Sequence, residues 1–508
     1  MQDSAVERAR NAGKRLFHFH GGLRLHHHKQ ASCQVAVQSV AIPPRLYIPL
    51  MQHAGPEATP LVGTGAHVLK GEPVARFNEP SIGYVHAPTS GTIAAIARQA
   101  ITHPSGLEGL CVVLKPDGLD RWTRLQPMEH WQSADPELIR QRLCESGIVG
   151  LGGAVFPTSR KVEEARNFGI HTLILNGAEC EPYISCDEML MREQPDKVVL
   201  GALILQKAVA AEQVIIAIED QMEEVFSALQ AAISNADCTH MRLVKVRTIY
   251  PEGGEKQLIQ VLTGLEIPAG CRPPELGLLC QNVATAAAVA EAVTEGKPLV
   301  QRIVTVTGNG VKRPHNLLAL IGTPISTLVD ACGGYTHDAA RLVLGGPLMG
   351  YALASDQNPV IKAANCILVL SNRDIQSDQA EMPCIRCGEC ARVCPALLLP
   401  QTLNWQIRND LLDDASDSGL GECIECGCCD YVCPSHIPLA EWFRFGKSEH
   451  QLLAMERSQS NLARDRYLAR EARLEQLKQD RERRLGEKKQ ALRDRTSVTG
   501  GTMGQGPA

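Results

Sequence analysis

Two cysteine stretches carry the chemistry of this chain. Residues 384–395 read C-I-R-C-G-E-C-A-R-V-C-P. After twenty-seven further residues, 423–434 read C-I-E-C-G-C-C-D-Y-V-C-P. Both follow C-x2-C-x2-C-x3-C-P. The close spacing of the first three thiolates lets one tight loop wrap them around an iron–sulfur cube. The fourth leads the chain away and serves the other cube. The pattern therefore assigns Cys384, Cys387, Cys390 and Cys433 to one 4Fe–4S cluster, and Cys423, Cys426, Cys429 and Cys394 to a second. Gly388 and Gly427 let the loops turn at little steric cost and bring N–H groups towards sulfur. Pro395 and Pro434 restrict the exit path. Two four-thiolate zinc sites are the competing reading. Zinc knuckles are paired C-x2-C steps well separated in sequence, and a doubled run ending in Cys-Pro does not match them. Cys428 sits beside Cys429 and could replace it; the regular spacing selects Cys429.

The elements that position these thiols must come from several domains, since the chain has 508 residues, 44% of them hydrophobic. Of nineteen cysteines, the eleven outside the two cluster sets are scattered without a disulfide-scaffold pattern. That distribution points to a reducing compartment. The N-terminus has charge but no apolar core behind it, so no signal peptide is read. No apolar run reaches the roughly eighteen residues a membrane span needs. The longest, 198–211, is broken by Gln206 and Lys207 and reads as a buried or amphipathic helix. The net charge of −5 divides into +5 from Lys447 onward and −10 before it. With no basic body face implied, nucleic-acid binding is not expected.

In chain order, residues 1–20 read as a flexible leader. His18, His20, His26, His27 and His28 crowd a short span. Regular metal spacing is absent, so a solvated loop or strand edge is expected there. From 21 to 118, β-branched runs alternate with Gly and Pro turns, as in a compact β-domain. V-G-T-G-A-H-V-L-K-G-E-P-V (62–74) and H-A-P-T-S-G-T-I-A-A-I (86–96) resemble the barrel-sandwich fold of lipoyl and biotinyl domains. The turn between them, N-E-P-S-I (78–82), has no lysine to carry a prosthetic arm, leaving a structural or docking role.

The next expected domain, 136–300, is α/β. It opens with G-L-G-G-A-V-F-P-T-S-R-K (150–161), a glycine loop running into a helix. Such a loop allows close backbone approach to an anion at aligned N–H dipoles. H-T-L-I-L-N-G-A-E-C-E-P-Y (171–183) reads as a parallel strand with Asn176 to Glu181 beyond its carboxyl end, where open α/β sheets collect ligands. Q-V-I-I-A-I-E (213–219) completes a βαβ unit. Y-P-E-G-G-E-K-Q-L-I (250–259) and Q-N-V-A-T (281–285) follow.

These four segments resemble, in order, the flavin-binding subunit of respiratory complex I. That family carries a glycine loop ending in F-P-T and a lysine, an N-x-D-E-x-E-P strand end, a Y-x-x-G-E-E turn and an N-N-V-x-T element. With the paired cysteine runs and the β-domain in front, the chain is similar to the C-subunit family of Rnf electron-transport complexes across nearly all of 20–445. Carried over by position, the resemblance makes Gly150, Gly152, Lys161, Asn176, Tyr250, Asn282 and Thr285 contacts of FMN. It places Phe156, Glu181 and Glu255 near the nicotinamide nucleotide, with Glu181 and Glu255 as candidate catalytic residues. Three positions depart from the family pattern: Ala178 replaces the first acid of N-x-D-E, Gly254 the first Glu of the turn, and Glu164 the aromatic on which the base stacks. Flavin binding is thereby favoured over NADH binding.

The same resemblance makes 301–365 a small β-grasp-like ligand-binding module, in which Gly345, Gly346 and Pro347 read as a turn. It makes 374–446 a two-cluster ferredoxin-type α domain, with a helical insert at 397–412 that could separate or shield the cubes. Residues 447–508 are charged at every turn, as in a long solvated helix with i,i+4 pairs. Leu485 and Leu492 give only one heptad step, and the stretch from Ser497 reads as a disordered end. The implied function is a peripheral subunit on the cytoplasmic face of the bacterial inner membrane. It would pass electrons from NADH through FMN and two 4Fe–4S clusters, to or from membrane redox subunits and ferredoxin. The alternatives are a flavin-free two-cluster electron-transfer module and a soluble cobalamin (corrin) reductase of related architecture.

Overall fold

The computed structural model describes residues 2–52, 55–79, 82–375 and 380–499. The chain forms two compact units. One comprises residues 1–402 and 422–440, the other 403–421 and 441–508.

In the larger unit, the β-domain places an antiparallel sheet of Leu46–Pro49, Glu108–Pro116, Gly91–Ala100 and His67–Val68 beside a three-stranded sheet of Thr59–Pro60, Pro73–Arg76 and Tyr84–His86. Leu46, Ile48, Val68, Val74, Ile93, Val112 and Leu114 fill its core, all fully buried. Each such aliphatic side chain contributes about 1.5–3 kcal/mol of burial. Pro80 and Ser81 of the 78–82 turn lie outside the described residues.

The α/β domain carries a four-stranded sheet, all parallel, in the order Met241–Val246, Gln213–Glu219, Thr172–Gly177, Leu278–Asn282. Its central strands are apolar runs because helices cover both faces: Leu173 to Leu175 and Val214 to Ile218 are all fully buried. Gly201 explains the close packing of the Pro195–Val209 helix on Val283–Ala290. A Cβ there would stand 1.8 Å from Ala286 O.

The leader expectation is corrected. Gln2–Arg10 is a helix, and Ala9 and Ala12 are fully buried against the α/β sheet. A helix leaves its last carbonyls without partners. Three strand-start side chains take the carbonyls at this end: Thr172 Oγ1 to Ala9 O (2.7 Å), Gln213 Nε2 to Arg10 O (2.8 Å) and Arg242 Nη2 to Ala12 O (2.5 Å). A charged sequence concealed this docking because the buried stripe is alanine, which adds little hydropathy.

The β-grasp-like module is wider than 301–365. Its six-stranded sheet runs Gln38–Ser39, His315–Leu320, Gln301–Thr307, Cys366–Ser371, Ala339–Leu344, Tyr351–Ala352. The Cys366–Ser371 strand lies beyond the expected boundary, yet it pairs parallel with Gln301–Thr307 and antiparallel with Ala339–Leu344. The cysteine runs add two one-turn helices, Glu389–Arg392 and Cys428–Tyr431.

In the smaller unit, the insert packs on the start of the long helix. Ile407 meets Gly446, Arg408 stacks over Trp442 at 4.4 Å, and Arg457 forks onto Asp413 at 2.9 and 3.0 Å. That helix, Leu439–Thr499, has 61 residues, about 90 Å at 1.5 Å per residue. It continues through Thr499, past the expected end of order at Ser497; residues 500–508 lie outside the described residues. Among the described residues no helix is long and apolar enough to cross a membrane.

Candidate functional site

The glycine loop is held as a narrow hairpin. Gly150 N donates to Phe156 O (2.9 Å), Thr158 N donates to Ile148 O (3.0 Å), and the Thr158–Arg166 helix starts at once. Gly152 and Gly153 are exposed. Gly153 takes φ +111° with open space around its missing Cβ, a cradle that side chains would fill. Leu151 N donates to Thr285 Oγ1 (2.9 Å), and Gly152 lies against Asn282. The fold thus brings Gly150, Gly152, Asn282 and Thr285 together. Asn282 also caps the Val283–Ala290 helix through Ala284 N and Thr285 N, and its amide donates to Asp187 (2.5 Å).

Lys161, one turn into the helix, forms an ion pair with Glu255 (2.7 Å) and donates to Cys280 O (2.6 Å). Burial opposes the ammonium, but Glu255, Cys280 and Glu164 together outweigh it and the Lys161 pKa is raised. Glu255 opens the Glu255–Thr263 helix, where an acid is favoured by the dipole. Glu164 is engaged by Arg160 (3.4 Å) and Arg272, and Arg160 lies over Phe156 at 5.9 Å. Where the complex I pattern has a base-stacking aromatic, this chain therefore has an ionic network.

The strand end at Asn176 to Glu181 meets three different surroundings. Asn176 bridges the turn by donating to Gly253 O (2.7 Å) and accepting from Ala178 N (3.0 Å). Glu179 accepts from Asp187 N (3.1 Å) and Glu188 N (3.2 Å), capping the Cys186–Glu193 helix. Burial, then the nearby Asp187, pushes Glu179 up to about 8. Glu181 points elsewhere: its carboxylate accepts from Leu348 N (2.8 Å) and Met349 N (3.1 Å), and burial raises its pKa. The Gly345–Gly346–Pro347 turn is consequently more than a chain reversal, because Gly346 makes room for Glu181. A Cβ on it would stand 2.0 Å from Glu181 Cγ. Glu181 and Glu255, paired as catalytic candidates, are thus committed to separate partners.

Tyr250, expected as an FMN contact, reaches the second cysteine run. Its ring is buried, and its hydroxyl donates to Cys426 O at 2.6 Å, within the second cysteine run. The cysteines themselves fall into two neighbourhoods. Cys384 and Cys387 lie close enough to Cys390 to add, after burial, to the upward shift of its thiol. Cys426 does the same to Cys394, and Cys426 and Cys423 to Cys429. Two hydrogen bonds tie the chain entering Cys384 to the chain leaving Cys433: Met382 N to Ser435 O (2.9 Å) and Ser435 Oγ to Pro383 O (3.0 Å). Cys428 is fully buried in an apolar wall with Cys180, Tyr250 and Cys426. The donor set fits iron–sulfur clusters. Gly388 and Gly427 adopt φ +81° and +69°, and Leu398 N and Glu425 N already point at Cys394 and Cys423 sulfur at 3.4 Å.

Sequence reasoning missed the buried charges around this strand end. Lys29 is 5% exposed; it donates to Glu179 O (2.5 Å) and lies 3.6 Å from the fully buried Glu219. Burial opposes its charge, but Glu219, Glu179 and Glu188 outweigh it and its pKa is raised. Arg302, also buried, reaches Leu151 O from the β-grasp-like module (3.3 Å). Of the histidines, His20 Nδ1 donates to Cys394 O (3.0 Å) and His28 stacks on Tyr183 at 4.7 Å. Both remain exposed, as expected of a solvated loop, while making these contacts. No local pattern marks a lone Lys or His for such a place.

Four family models match the chain: the RnfC barrel sandwich hybrid domain over 17–119, the Nuo51 FMN-binding domain over 143–291, the SLBB domain over 303–352, and the 4Fe-4S dicluster domain over 380–437. Among whole proteins, the chain is similar to the C subunit of the ion-translocating oxidoreductase complex of Edwardsiella ictaluri, 45% identical over 472 residues, 93% of this chain and 58% of that one. It is similar to the protein of the same name in Yersinia pestis, 43% identical over 92% of this chain and 75% of the relative. The Pseudomonas aeruginosa protein of that name is 43% identical over 93% and 60%. The chain thus spans somewhat over half to three quarters of these relatives' lengths. Among solved structures it is similar to an NAD+-reducing NiFe hydrogenase in the H2-reduced state, with TM-score 0.46 and 19% identity over 62% of this chain and 65% of that chain.

Proposed function

The chain belongs to the family of C subunits of ion-translocating oxidoreductase complexes, and from that premise we propose that it carries electrons between NADH and the other subunits of such a complex. FMN would be held by the 150–153 loop with Thr285, Asn282 and Asn176, and two 4Fe–4S clusters by the eight thiolates. When bound, a flavin takes up a hydride as two electrons and gives them up singly, whereas a cluster carries one at a time. The two cofactors together supply the conversion between pair and single-electron chemistry.

The chain's own residues do the holding. Lys161, kept charged by Glu255, offers a fixed cation beside the glycine loop. Glu255 holds that cation in place, at the entrance expected for the nucleotide. Arg302 and Lys29 brace the loop and the strand end from behind. NADH as donor, ferredoxin as the distant redox partner and attachment to the cytoplasmic face of the bacterial inner membrane belong to this reading. Ion movement belongs to the other subunits.

The observation that carries the proposal is Tyr250 on Cys426: the turn of the flavin-type domain touches the second cysteine run directly. The test is anaerobic purification of the full chain, assay of iron, sulfide and flavin, then NADH titration followed optically. About eight iron and eight sulfide per chain, with bound FMN bleached by NADH, is expected. A colourless sample holding stoichiometric zinc overturns it. Clusters without extractable flavin favour the flavin-free module instead.

A further inference from the structure

Tyr250 and Leu348 touch the second cysteine run, and Glu181 reaches it through Leu348. Tyr250 is 3% exposed and rests its hydroxyl on Cys426 O at 2.6 Å. The turn bearing it is itself pinned, because Leu23 N donates to Tyr250 O (2.7 Å) and Tyr250 N to Leu23 O (2.9 Å). Across the run, the backbone of Leu348 leans on Gly427: a Cβ there would stand 2.9 Å from Leu348 O, at φ +69°. Leu348 is in turn fixed by Glu181, whose carboxylate takes the N–H groups of both Leu348 and Met349. Leu23, Leu25, Leu348, Val393 and Ile424 pack around Cys426 and Cys428.

These contacts form a continuous path: the strand end through Glu181, the Leu348–Met349 loop, Gly427, the Cys426 carbonyl and Tyr250. The peptide joining Cys426 to Gly427 is therefore gripped at both its ends. In a trans peptide the carbonyl and the N–H point in opposite directions. Fixing Cys426 O on Tyr250 thus fixes the direction of Gly427 N–H. Hydrogen bonding to sulfur, and exclusion of water, are the protein's means of setting a cluster's potential.

We propose that Tyr250 and Glu181 are positioning residues for the second cluster: Tyr250 orients the Cys426–Gly427 peptide, and Glu181 latches the Leu348–Met349 loop over it. The residues act on the cluster through backbone, not through contact with substrate. This rests on the reading that the eight thiolates hold two clusters. Both loop N–H groups fall on Glu181 Oε1, Oε2 is buried and, among the described residues, without a hydrogen-bond partner, and the Tyr250 hydroxyl is spent on a ligand's carbonyl.

The test compares the full chain with Tyr250→Phe, purified anaerobically, by iron and flavin assay and by EPR-monitored redox titration. Wild-type protein without about eight iron per chain overturns the two-cluster reading itself. Given two clusters, Y250F is expected to lower the midpoint potential and alter the EPR line shape of the cluster held by Cys423, Cys426 and Cys429, leaving the other cluster and the flavin content unchanged. Unshifted potentials overturn the proposal, as does loss of flavin with both cluster signals unmoved, which would return Tyr250 to the flavin site. Should Y250F lose every cofactor through misfolding, Glu181→Gln decides by the same readout. A change confined to the second cluster upholds the latch, and an unchanged potential with impaired NADH binding rejects it.

Discussion

Lys161 and Glu255, ninety-four positions apart, meet at 2.7 Å beneath the glycine loop, and the same ammonium takes the carbonyl of Cys280. The pair joins the helix after the loop to the helix after the turn, so either substitution leaves an uncompensated charge at the mouth of the site. Lys161→Met or Glu255→Gln is expected to lower NADH oxidation by roughly tenfold or more, equivalent to about 1.4 kcal/mol, with iron content unchanged. Steady-state rates beside an iron assay check this. Unaltered turnover removes the pair from the site.

Cys433 is expected to serve the cluster otherwise held by Cys384, Cys387 and Cys390. The paired bonds between Met382–Pro383 and Ser435 already bring the two ends of that set together. Cys433→Ser is expected to perturb that cluster and spare the one nearer in sequence. EPR of the reduced protein separates the outcomes, and loss of only the second signal contradicts the crossed assignment.

Glu252 is 3% exposed, and among the described residues its Oε2 has no partner. Burial, then Glu219 and Asp220, pushes its pKa up to about 8. Its folded pKa therefore lies above the unfolded value near 4.5. The proton is held more tightly in the folded state, so the stability it adds is present below about pH 4.5 and is lost as pH rises through about 8. The slope from one such group is at most about 1.4 kcal/mol per pH unit. Thermal midpoints between roughly pH 6 and roughly pH 9 should fall in wild type and fall less in Glu252→Gln. Parallel curves would remove Glu252 as the cause.

The N-terminal helix is expected to be docked rather than free. Ala9→Leu forces extra methylenes into a filled contact at a cost of about 1–3 kcal/mol. Local opening, and hence trypsin cleavage between Arg8 and Arg15, should accelerate roughly five- to a hundredfold. Glu7→Leu, on the exposed side, is the control. Equal rates in all three proteins would restore a mobile leader.

The amino-acid sequence by itself determined what depends on short-range pattern. Cysteine spacing pointed to iron–sulfur ligation and to the expectation of two four-thiol sets, since a loop of fixed length can reach only certain corners of a cube. The apolar runs 173–175 and 214–218 dictated buried strands, and Gly150, Gly152 and Gly153 an open backbone turn, because period and backbone freedom are local properties. Tertiary structure alone decided where single polar side chains end. Tyr250 reaches a carbonyl 176 positions away, Glu181 an amide 167 positions away, and Lys29 a carbonyl 150 positions away. The leader helix and the outlying strand Cys366–Ser371 belong with them. A lone phenol, carboxylate or ammonium has no neighbours in sequence that announce its partner. Its place is fixed only once separate domains close around it and each buried charge or donor must be satisfied.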